Sequence, residues 1–173
     1  MNEIKDSGTR RTFRTGAVRD AEDGANKGRC DLLPLDIIGE HMRDVILELI
    51  GRYVYEGNPA DLWKAIFVFQ YKAFPANDVT ADQRMANALL EVSKHYAKGC
   101  EKYQARNWEK GIDLHCYIDS AVRHYLKFKR GDKDEPHHHA VIWNLLGAIW
   151  TQKHLPELID LPFVQNNGKN EDV

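Results

Sequence analysis

The sequence is poor in the features that mark secreted, membrane-spanning and nucleic-acid-binding proteins. It has three cysteines in 173 residues, Cys30, Cys100 and Cys116, and no CxxC pair, which argues against a disulfide framework and a zinc knuckle. The most apolar late segment, VIWNLLGAIW, is interrupted by Asn144 and is too short to cross a bilayer. The net charge of −2 disfavours bulk binding to a nucleic-acid backbone. We expect a soluble, cytoplasmic protein with no membrane or nucleic-acid-polymer partner.

Several targeting and catalytic motifs are also missing. The first residues, MNEIKDSGTRRTFRTG, contain no apolar core, so no secretory signal is expected. There is no glycine-rich P-loop, no GxSxG and no HExxH, and the reaction classes that depend on these motifs therefore have no support. Candidate chemistry has to come from less regular groupings of polar residues.

Helical periodicity is what the chain does have. Apolar residues make up 43% of the sequence and recur at spacings of three and four after residue 32. The pattern predicts five helices, over residues 33–55, 59–74, 80–96, 114–128 and 136–152. Asn58-Pro59 and the pair Thr80 and Gln83 predict the starts of the second and third. No segment alternates with a period of two, so we expect an all-α helical bundle of about five helices.

The two ends of the chain differ from this helical body. Residues 1–31 contain arginines and glycines and almost no large apolar side chain. This composition predicts an extended basic arm that is either disordered or laid over a neighbouring surface or an anionic ligand. Residues 32–163 are predicted to form a single all-α domain. Residues 164–173 are polar and predict a flexible tail.

Polar side chains are densest between residues 102 and 144. His115, Asp119 and Arg123 are spaced by four and share one helix face, where Asp119 and Arg123 form either a simple ion pair or part of a site. His124 lies about 140° around the helix from Asp119. The two side chains therefore cannot bind one ion from the same face.

Three consecutive histidines follow in the next predicted helix. Successive helical residues point about 100° apart, so we expect His137 to face a pocket while His138 and His139 form a solvated helix start. His137 and Asn144 are seven residues apart and share a face, which would place them at opposite ends of one ligand. A buried amide such as Asn144 needs partners, and it is either structural or reads a ligand.

The charged residues of this region suit a phosphorylated ligand and its counter-ion. Four acidic residues offer oxygen ligands for Mg²⁺: Asp119, Asp132, Asp134 and Glu135. Arg106, Lys110 and Arg123 offer positive charge for phosphate groups.

Three blocks of the sequence resemble a known family. They are TRRTFRTGAVRDAEDGANKGRCDLLP, HYAKGCEKYQARNWEKG and YIDSAVRHYLKFKRGDKDEPHHHAVIWNLLGAIW. In this order they resemble the phage-type dATP/dGTP diphosphohydrolases, which look like a branch of the MazG-like all-α nucleotide pyrophosphohydrolases. The resemblance covers residues 8–34 and 94–150. Residues 51–87 fall outside it and are interpreted as an insertion.

The resemblance implies an activity. Water would attack a purine deoxynucleoside triphosphate, dGTP or dATP, and release the monophosphate and pyrophosphate with the help of Mg²⁺ or Mn²⁺. It further implies a homo-oligomer, a dimer or tetramer, in the host cytoplasm if phage-encoded, which supplies dGMP to diaminopurine nucleotide synthesis. The wider MazG-like group binds metal with ExxE and ExxD pairs. Only Glu157 and Asp160 show such a spacing near this region, between two prolines.

The polar residues between 102 and 144 and the family resemblance together give the candidate site residues. Catalytic roles are predicted for Glu109, Asp119 and His124. Metal binding is predicted for Asp119, Asp134 and His137. Substrate binding is predicted for Arg19, Arg29, Tyr103, Arg106, Asn107, Trp108, Lys110, Arg123 and Asn144. In this set Trp108 or Tyr103 would stack on the purine and the arm arginines would close over the phosphates.

Two alternatives remain open. The first is a phosphohydrolase of the HD type, although no histidine of the chain is followed directly by aspartate. The second is a non-catalytic nucleotide-binding or interaction protein, in which the helices only present a surface to a partner.

Overall fold

The computed structural model describes residues 8–20 and 28–167, and these form seven α-helices and one short β-hairpin. The helices are α1 (Leu35–Met42), α2 (Val45–Glu56), α3 (Pro59–Ala73), α4 (Ala81–Tyr103), α5 (Leu114–Arg130), α6 (His137–His154) and α7 (Pro162–Asn167). Strands β1 (Arg10–Thr12) and β2 (Val18–Asp20) pair antiparallel. The prediction of an all-α fold is confirmed. Predictions for the remainder of the arm and for the end of the tail lie outside the described residues.

No helix in the described part of the chain is both long enough and apolar enough to span a membrane. The buried side chains instead form one core that all the long helices share. Its largest members come from α2, α3 and α5: Tyr53, Phe69, Tyr117 and Tyr125.

The first predicted helix is in fact two helices, α1 and α2. Arg43 adopts a left-handed conformation with φ of 52°, and the Asp44 carboxylate accepts hydrogen bonds from the backbone N–H groups of Ile46 and Leu47. This N-cap restarts the chain in a new direction. The two helices then pack closely, since a Cβ on Gly39 would lie 2.3 Å from the backbone nitrogen of Glu48. Apolar periodicity continues across the break, so it could not reveal the turn.

The predicted starts of α3 and α4 are confirmed. The Asn58 side chain accepts a hydrogen bond from the Ala60 N–H at 3.0 Å. Thr80 and Gln83 form the reciprocal capping box, with bonds of 3.2 and 2.8 Å. Helix α4 continues to Tyr103, beyond the predicted end near residue 96.

Helices α5 and α6 pack side by side and carry most of the polar residues discussed above. The close contact is possible because Gly147 of α6 leaves room for the Tyr117 ring of α5, where a Cβ would lie 2.4 Å from a ring carbon. The turn between them, residues 131–136, places polar side chains at the C-terminal end of α5 and the N-terminal end of α6. Positions on the two helices that are distant in sequence therefore come together.

The described part of the arm is a hairpin laid over the helices. An arm laid over a neighbouring surface was one of the predicted alternatives, but its two strands were not predicted. Phe13 and Ala17 close its turn with a backbone hydrogen bond of 2.9 Å, and both are buried. The Thr15 hydroxyl donates to the carbonyl of Gly111. Strands of three residues are too short to display a period of two, which explains why no strand was expected.

Candidate functional site

A cavity of about 480 Å³ opens between the arm, the C-terminal end of α4 and the α5–α6 pair. Its volume lies within the ordinary range for small-molecule sites. Eight of the predicted site residues line it: Arg19, Tyr103, Arg106, Asn107, Trp108, Glu109, His124 and Asn144. The structure thus brings together residues from all three sequence blocks in one concave site.

Aromatic side chains form one wall of the cavity. Trp108 makes edge contacts with Tyr96 and with Trp150, at centroid distances of 5.8 and 5.0 Å. Tyr96 also lies 6.0 Å from Trp143, which is another lining residue. Burial raises the pKa of Tyr96, so this phenol stays neutral. Such a wall offers flat apolar faces to a planar ring.

Arg19, on strand β2, brings positive charge to this aromatic site. Its guanidinium donates to the Asn144 Oδ1 at 2.6 Å and to the Cys116 carbonyl at 3.1 Å. The rings of Tyr117 and Trp143 lie 5.7 and 5.6 Å from its central carbon. Among the described residues no carboxylate forms an ion pair with it. The cation is held by neutral groups, so its charge is available to an anionic ligand.

Asn144 uses both ends of its amide within the protein. Its Oδ1 accepts from Arg19, and its Nδ2 donates to the Ala140 carbonyl at 2.7 Å. The side chain is buried, with 1% of its surface exposed. Of the two interpretations left open by the sequence, these contacts favour a structural role in which Asn144 orients Arg19 at the cavity.

The loop after α4 is held partly by the arm and partly by its own charges. The Asn107 side chain accepts from the Val18 N–H at 2.9 Å and donates to the Val18 carbonyl at 2.7 Å. Arg106 and Glu109 form an ion pair. Lys102 and Asp20, which sequence reasoning did not select, pair at 3.4 Å on the cavity lining. Asn107 thus fixes the arm against the loop.

Three ligand atoms converge at the α5–α6 turn. The Nδ1 atoms of His124 and His137 lie 3.0 Å apart, and the Glu135 Oε1 lies 3.4 Å from the first and 3.3 Å from the second. His124 and Glu135 line the cavity, and His137 lies directly behind them. Imidazole nitrogens and a carboxylate oxygen at these separations fit a single divalent metal ion.

Charged and titratable side chains surround these three residues. Burial and the proximity of His137 hold the pKa of His124 well below its usual range, which keeps that imidazole neutral at neutral pH. The Asp134 Oδ1 lies 2.8 Å from the His137 Nε2. The Lys127 Nζ lies 4.0 Å from carboxylate oxygens of both Asp134 and Glu135. Of the predicted metal ligands, His137 is in this cluster and Asp134 is behind it.

Asp119 and Arg123 lie outside the residues that line the cavity. The Asp119 carboxylate accepts from the Arg123 Nη2 at 2.5 and 2.7 Å and from the Cys30 N–H at 2.7 Å. Arg123 also donates to the Gly28 carbonyl. These contacts tie residues 28–30 to α5, so they support the ion-pair interpretation, and the catalytic role of Asp119 stays a prediction.

Two further predicted residues are also placed away from the cavity. Arg29 makes a two-pronged contact with Asp31, at 2.7 and 2.5 Å. Lys110 is exposed at the end of the 3₁₀ turn formed by residues 107–110 and is not among the lining residues. The structure does not bring either cation to the site, and their substrate contacts stay predictions.

His115 and Asp160 form a separate ion pair at the start of α5. Asp160 contacts the His115 Nδ1 and also accepts from the His115 backbone N–H at 2.9 Å, which caps the helix from outside. The carboxylate raises the pKa of His115 to about 10. Asp160 therefore stabilises the start of α5.

His138 and His139 do not form a solvated helix start. The ring of His139 stacks on Phe74 at 5.9 Å, and the ring of His138 meets Phe74 edge-on at 5.1 Å. Burial lowers the pKa of His138 to about 4. Both rings pack against the end of α3, a contact that sequence periodicity cannot foresee.

His95 of α4 is a lining residue that sequence reasoning missed. Its ring lies 5.8 Å from that of Trp143, and within the described residues nothing hydrogen-bonds to its buried Nδ1. Burial lowers its pKa to about 4. Only its place in the HYAKG block distinguishes it from other helical histidines.

A family model described as dATP/dGTP diphosphohydrolase, N-terminal, matches residues 70–160, more than half of the 173 residues. The match includes the loop after α4 and the whole α5–α6 pair, and it begins within the 51–87 stretch, whose interpretation as an insertion stays a prediction. The arm lies outside it. No curated protein and no solved structure matches the chain. With three sequence blocks meeting in one cavity and most of the helical body matched, the chain belongs to the dATP/dGTP diphosphohydrolase N-terminal family.

Proposed function

We propose that the protein hydrolyses purine deoxynucleoside triphosphates, dGTP or dATP, to the monophosphate and pyrophosphate with a divalent cation. The observation that carries this proposal is the environment of Arg19. Arg19 lines the aromatic cavity and is held there by an amide, a carbonyl and two aromatic rings. A cation in this setting is suited to a ligand that is planar at one end and anionic at the other.

The aromatic wall would bind the purine. The Tyr96 ring lies 5.8 Å from Trp108 and 6.0 Å from Trp143, so the three rings form a chain of contacts along the cavity. Stacking between a base and an aromatic side chain contributes about 1–3 kcal/mol. The ring of His95 beside Trp143 adds a polar side chain to this part of the lining.

The phosphates would lie toward Arg19 and the α5–α6 turn. Arg19 would contact a phosphate oxygen directly, and Asn144 would hold its guanidinium in place. Arg106 is paired with Glu109, and both residues also line the cavity. A phosphate that draws Arg106 away would leave the Glu109 carboxylate as a proton acceptor for water.

The reaction balances without any further reagent. Water adds to the α-phosphorus, the bond from that phosphorus to the bridging oxygen breaks, and pyrophosphate leaves with the electron pair. A divalent cation, when bound, neutralises phosphate charge and lowers the pKa of water. The preference for purines, the choice between Mg²⁺ and Mn²⁺, the supply of dGMP to diaminopurine synthesis and the homo-oligomeric state all belong to this proposal.

The test is to incubate the purified protein with dGTP, dATP and, as a pyrimidine control, dCTP, each with Mg²⁺ or Mn²⁺. Ion-exchange separation should show dGMP or dAMP together with pyrophosphate. Deoxyguanosine plus triphosphate, or dGDP plus phosphate, would contradict the proposed cleavage and favour an HD-type reaction. Thermal stabilisation by dGTP without any turnover would favour a non-catalytic nucleotide-binding protein.

A further inference from the structure

We propose that His124, Glu135 and His137 bind one transition-metal ion directly and that Asp134 orients His137 from behind. The proposal names the metal ligands of the proposed active site, but the binding itself is independent of any turnover.

The separations of the three ligand atoms match those expected around one metal ion. Metal bonds to histidine nitrogen and carboxylate oxygen are about 2.0–2.2 Å, so ligands of one ion in tetrahedral or octahedral geometry lie about 3.0–3.5 Å apart. The three measured separations in the cluster are 3.0, 3.3 and 3.4 Å. All three side chains are already placed around one point.

The contact of His137 with Asp134 orients the His137 ring toward the cluster. A carboxylate can only accept, so the His137 Nε2 must donate its proton to Asp134 at 2.8 Å. With the Nε2 engaged in this way, the Nδ1 is the nitrogen of His137 that faces the cluster. A carboxylate behind a histidine in this way fixes the tautomer of a metal ligand and raises its basicity.

The way the fold assembles the cluster makes it rigid. His124 lies on α5, and His137 is the first residue of α6, on the helix that packs against it. Glu135 is held next to His137 because its carbonyl accepts from the His137 N–H at 2.9 Å. All three side chains have less than a sixth of their surface exposed. A site built on packed helices keeps its geometry before the ion arrives.

The ligand set indicates the class of metal. Two imidazoles and one carboxylate suit Zn²⁺, Mn²⁺, Fe²⁺ or Co²⁺, whereas Mg²⁺ takes oxygen ligands almost exclusively. Three protein ligands also leave a position open, and the lining of the cavity by His124 and Glu135 directs it toward the substrate space. A transition-metal ion is therefore expected here in preference to Mg²⁺.

The experiment measures metal binding by the full chain after removal of metal with a chelator. Isothermal titration with Zn²⁺, Mn²⁺ and Mg²⁺ should give one site per chain, with Zn²⁺ or Mn²⁺ favoured at least about tenfold over Mg²⁺. Co²⁺ titration should produce the visible absorption of a nitrogen-containing site. His137→Gln should abolish both signals, and Asp134→Asn should weaken affinity about 10–100-fold. The matched control is His138→Gln, which changes the neighbouring histidine outside the cluster and should leave both unchanged.

Each outcome decides the proposal. Absence of binding, equal affinity for Mg²⁺, or unchanged binding in His137→Gln would overturn it. Should His137→Gln fail to fold, as judged by circular dichroism, the wild-type selectivity and Asp134→Asn still decide. Metal binding without hydrolysis of dGTP would overturn the proposed function alone, whereas hydrolysis with full activity in His137→Gln would overturn the metal site alone.

Discussion

Two polar clusters involve neighbouring positions of α5, and they differ in what their side chains contact. In the first, the Asp119 carboxylate accepts two hydrogen bonds from Arg123 and one from the Cys30 N–H. In the second, the imidazole nitrogens of His124 and His137 converge with a carboxylate oxygen of Glu135. A carboxylate bound by an arginine and a backbone N–H holds the chain together, whereas two imidazoles and a carboxylate at these separations are suited to a cation.

The difference shows why helix position alone does not separate structural from functional residues. Arg123 and His124 are neighbours in sequence, but one faces the segment at residues 28–30 and the other faces the cavity. Substitutions in the two clusters should therefore differ in their effects on turnover and on stability.

The largest effect is expected from a comparison of Glu135→Gln with Asp119→Asn. Glu135→Gln removes the only negative ligand atom of the cation cluster and should lower dGTP turnover by at least about 100-fold. Asp119→Asn should keep turnover within about threefold, because its carboxylate contacts no lining residue of the cavity, yet it should lower the free energy of unfolding by about 2 kcal/mol. The measurements are steady-state kinetics and urea denaturation. Loss of activity in Asp119→Asn with unchanged stability would reverse the two roles.

An intermediate effect is expected at Arg19. Arg19→Ala should raise the KM for dGTP about 10–100-fold, because a charge-assisted hydrogen bond contributes about 1.5–3 kcal/mol. Asn144→Ala should raise KM less, since it only loosens the guanidinium. If Asn144 acts through Arg19, the double variant should resemble Arg19→Ala rather than the sum of the two changes. Fully additive effects would mean that Asn144 contacts the substrate independently.

The smallest effect is expected at the pair formed by His115 and Asp160, outside both clusters. Asp160→Asn should lower the free energy of unfolding by about 0.5–1 kcal/mol, since 40% of the Asp160 side chain is exposed and solvent screens the pair. Turnover should be unchanged.

The pH dependence of this pair has a definite sign. The raised pKa of His115 means that its contribution is complete below pH 6.5 and is lost as pH rises through about 10. The lowered pKa of Asp160 means that its contribution is present above pH 3.8 and is lost as pH falls through the lowered value. The stability difference between wild type and Asp160→Asn should therefore shrink from pH 6.5 toward pH 10. A difference that grows over this range would contradict the pairing.

Much of the fold could be predicted because its signals are local. The capping box of Thr80 with Gln83 and the cap at Asn58 each involve residues within three positions, and both are present. The break at Arg43 was missed because Asp44 also contacts Tyr125 and Lys129 of α5, and such long-range partners leave no periodic signal.

The candidate site could be predicted only in part, for the same reason. Trp108 and Asn144 could be selected because an aromatic residue in a polar loop and an amide in an apolar helix both stand out locally. His95 could not be selected in this way. Glu135 was named among the possible oxygen ligands for Mg²⁺, but it was not selected as a site residue. The relevance of both depends on what α6 and the arm bring to them.

The sequence by itself determined the helical class, the main helix starts and the three blocks that mark the family, because periodicity and capping act over one or two turns. Tertiary structure alone decided which polar groups face each other. Asp119 and Arg123 can pair within one helix, but whether Asp119 also meets the Cys30 N–H, and whether His124 meets Glu135 and His137, depends on how α5 packs against α6 and the arm. Pairing of charges is a property of distances in space, and residues far apart along the chain acquire those distances only when the core has packed.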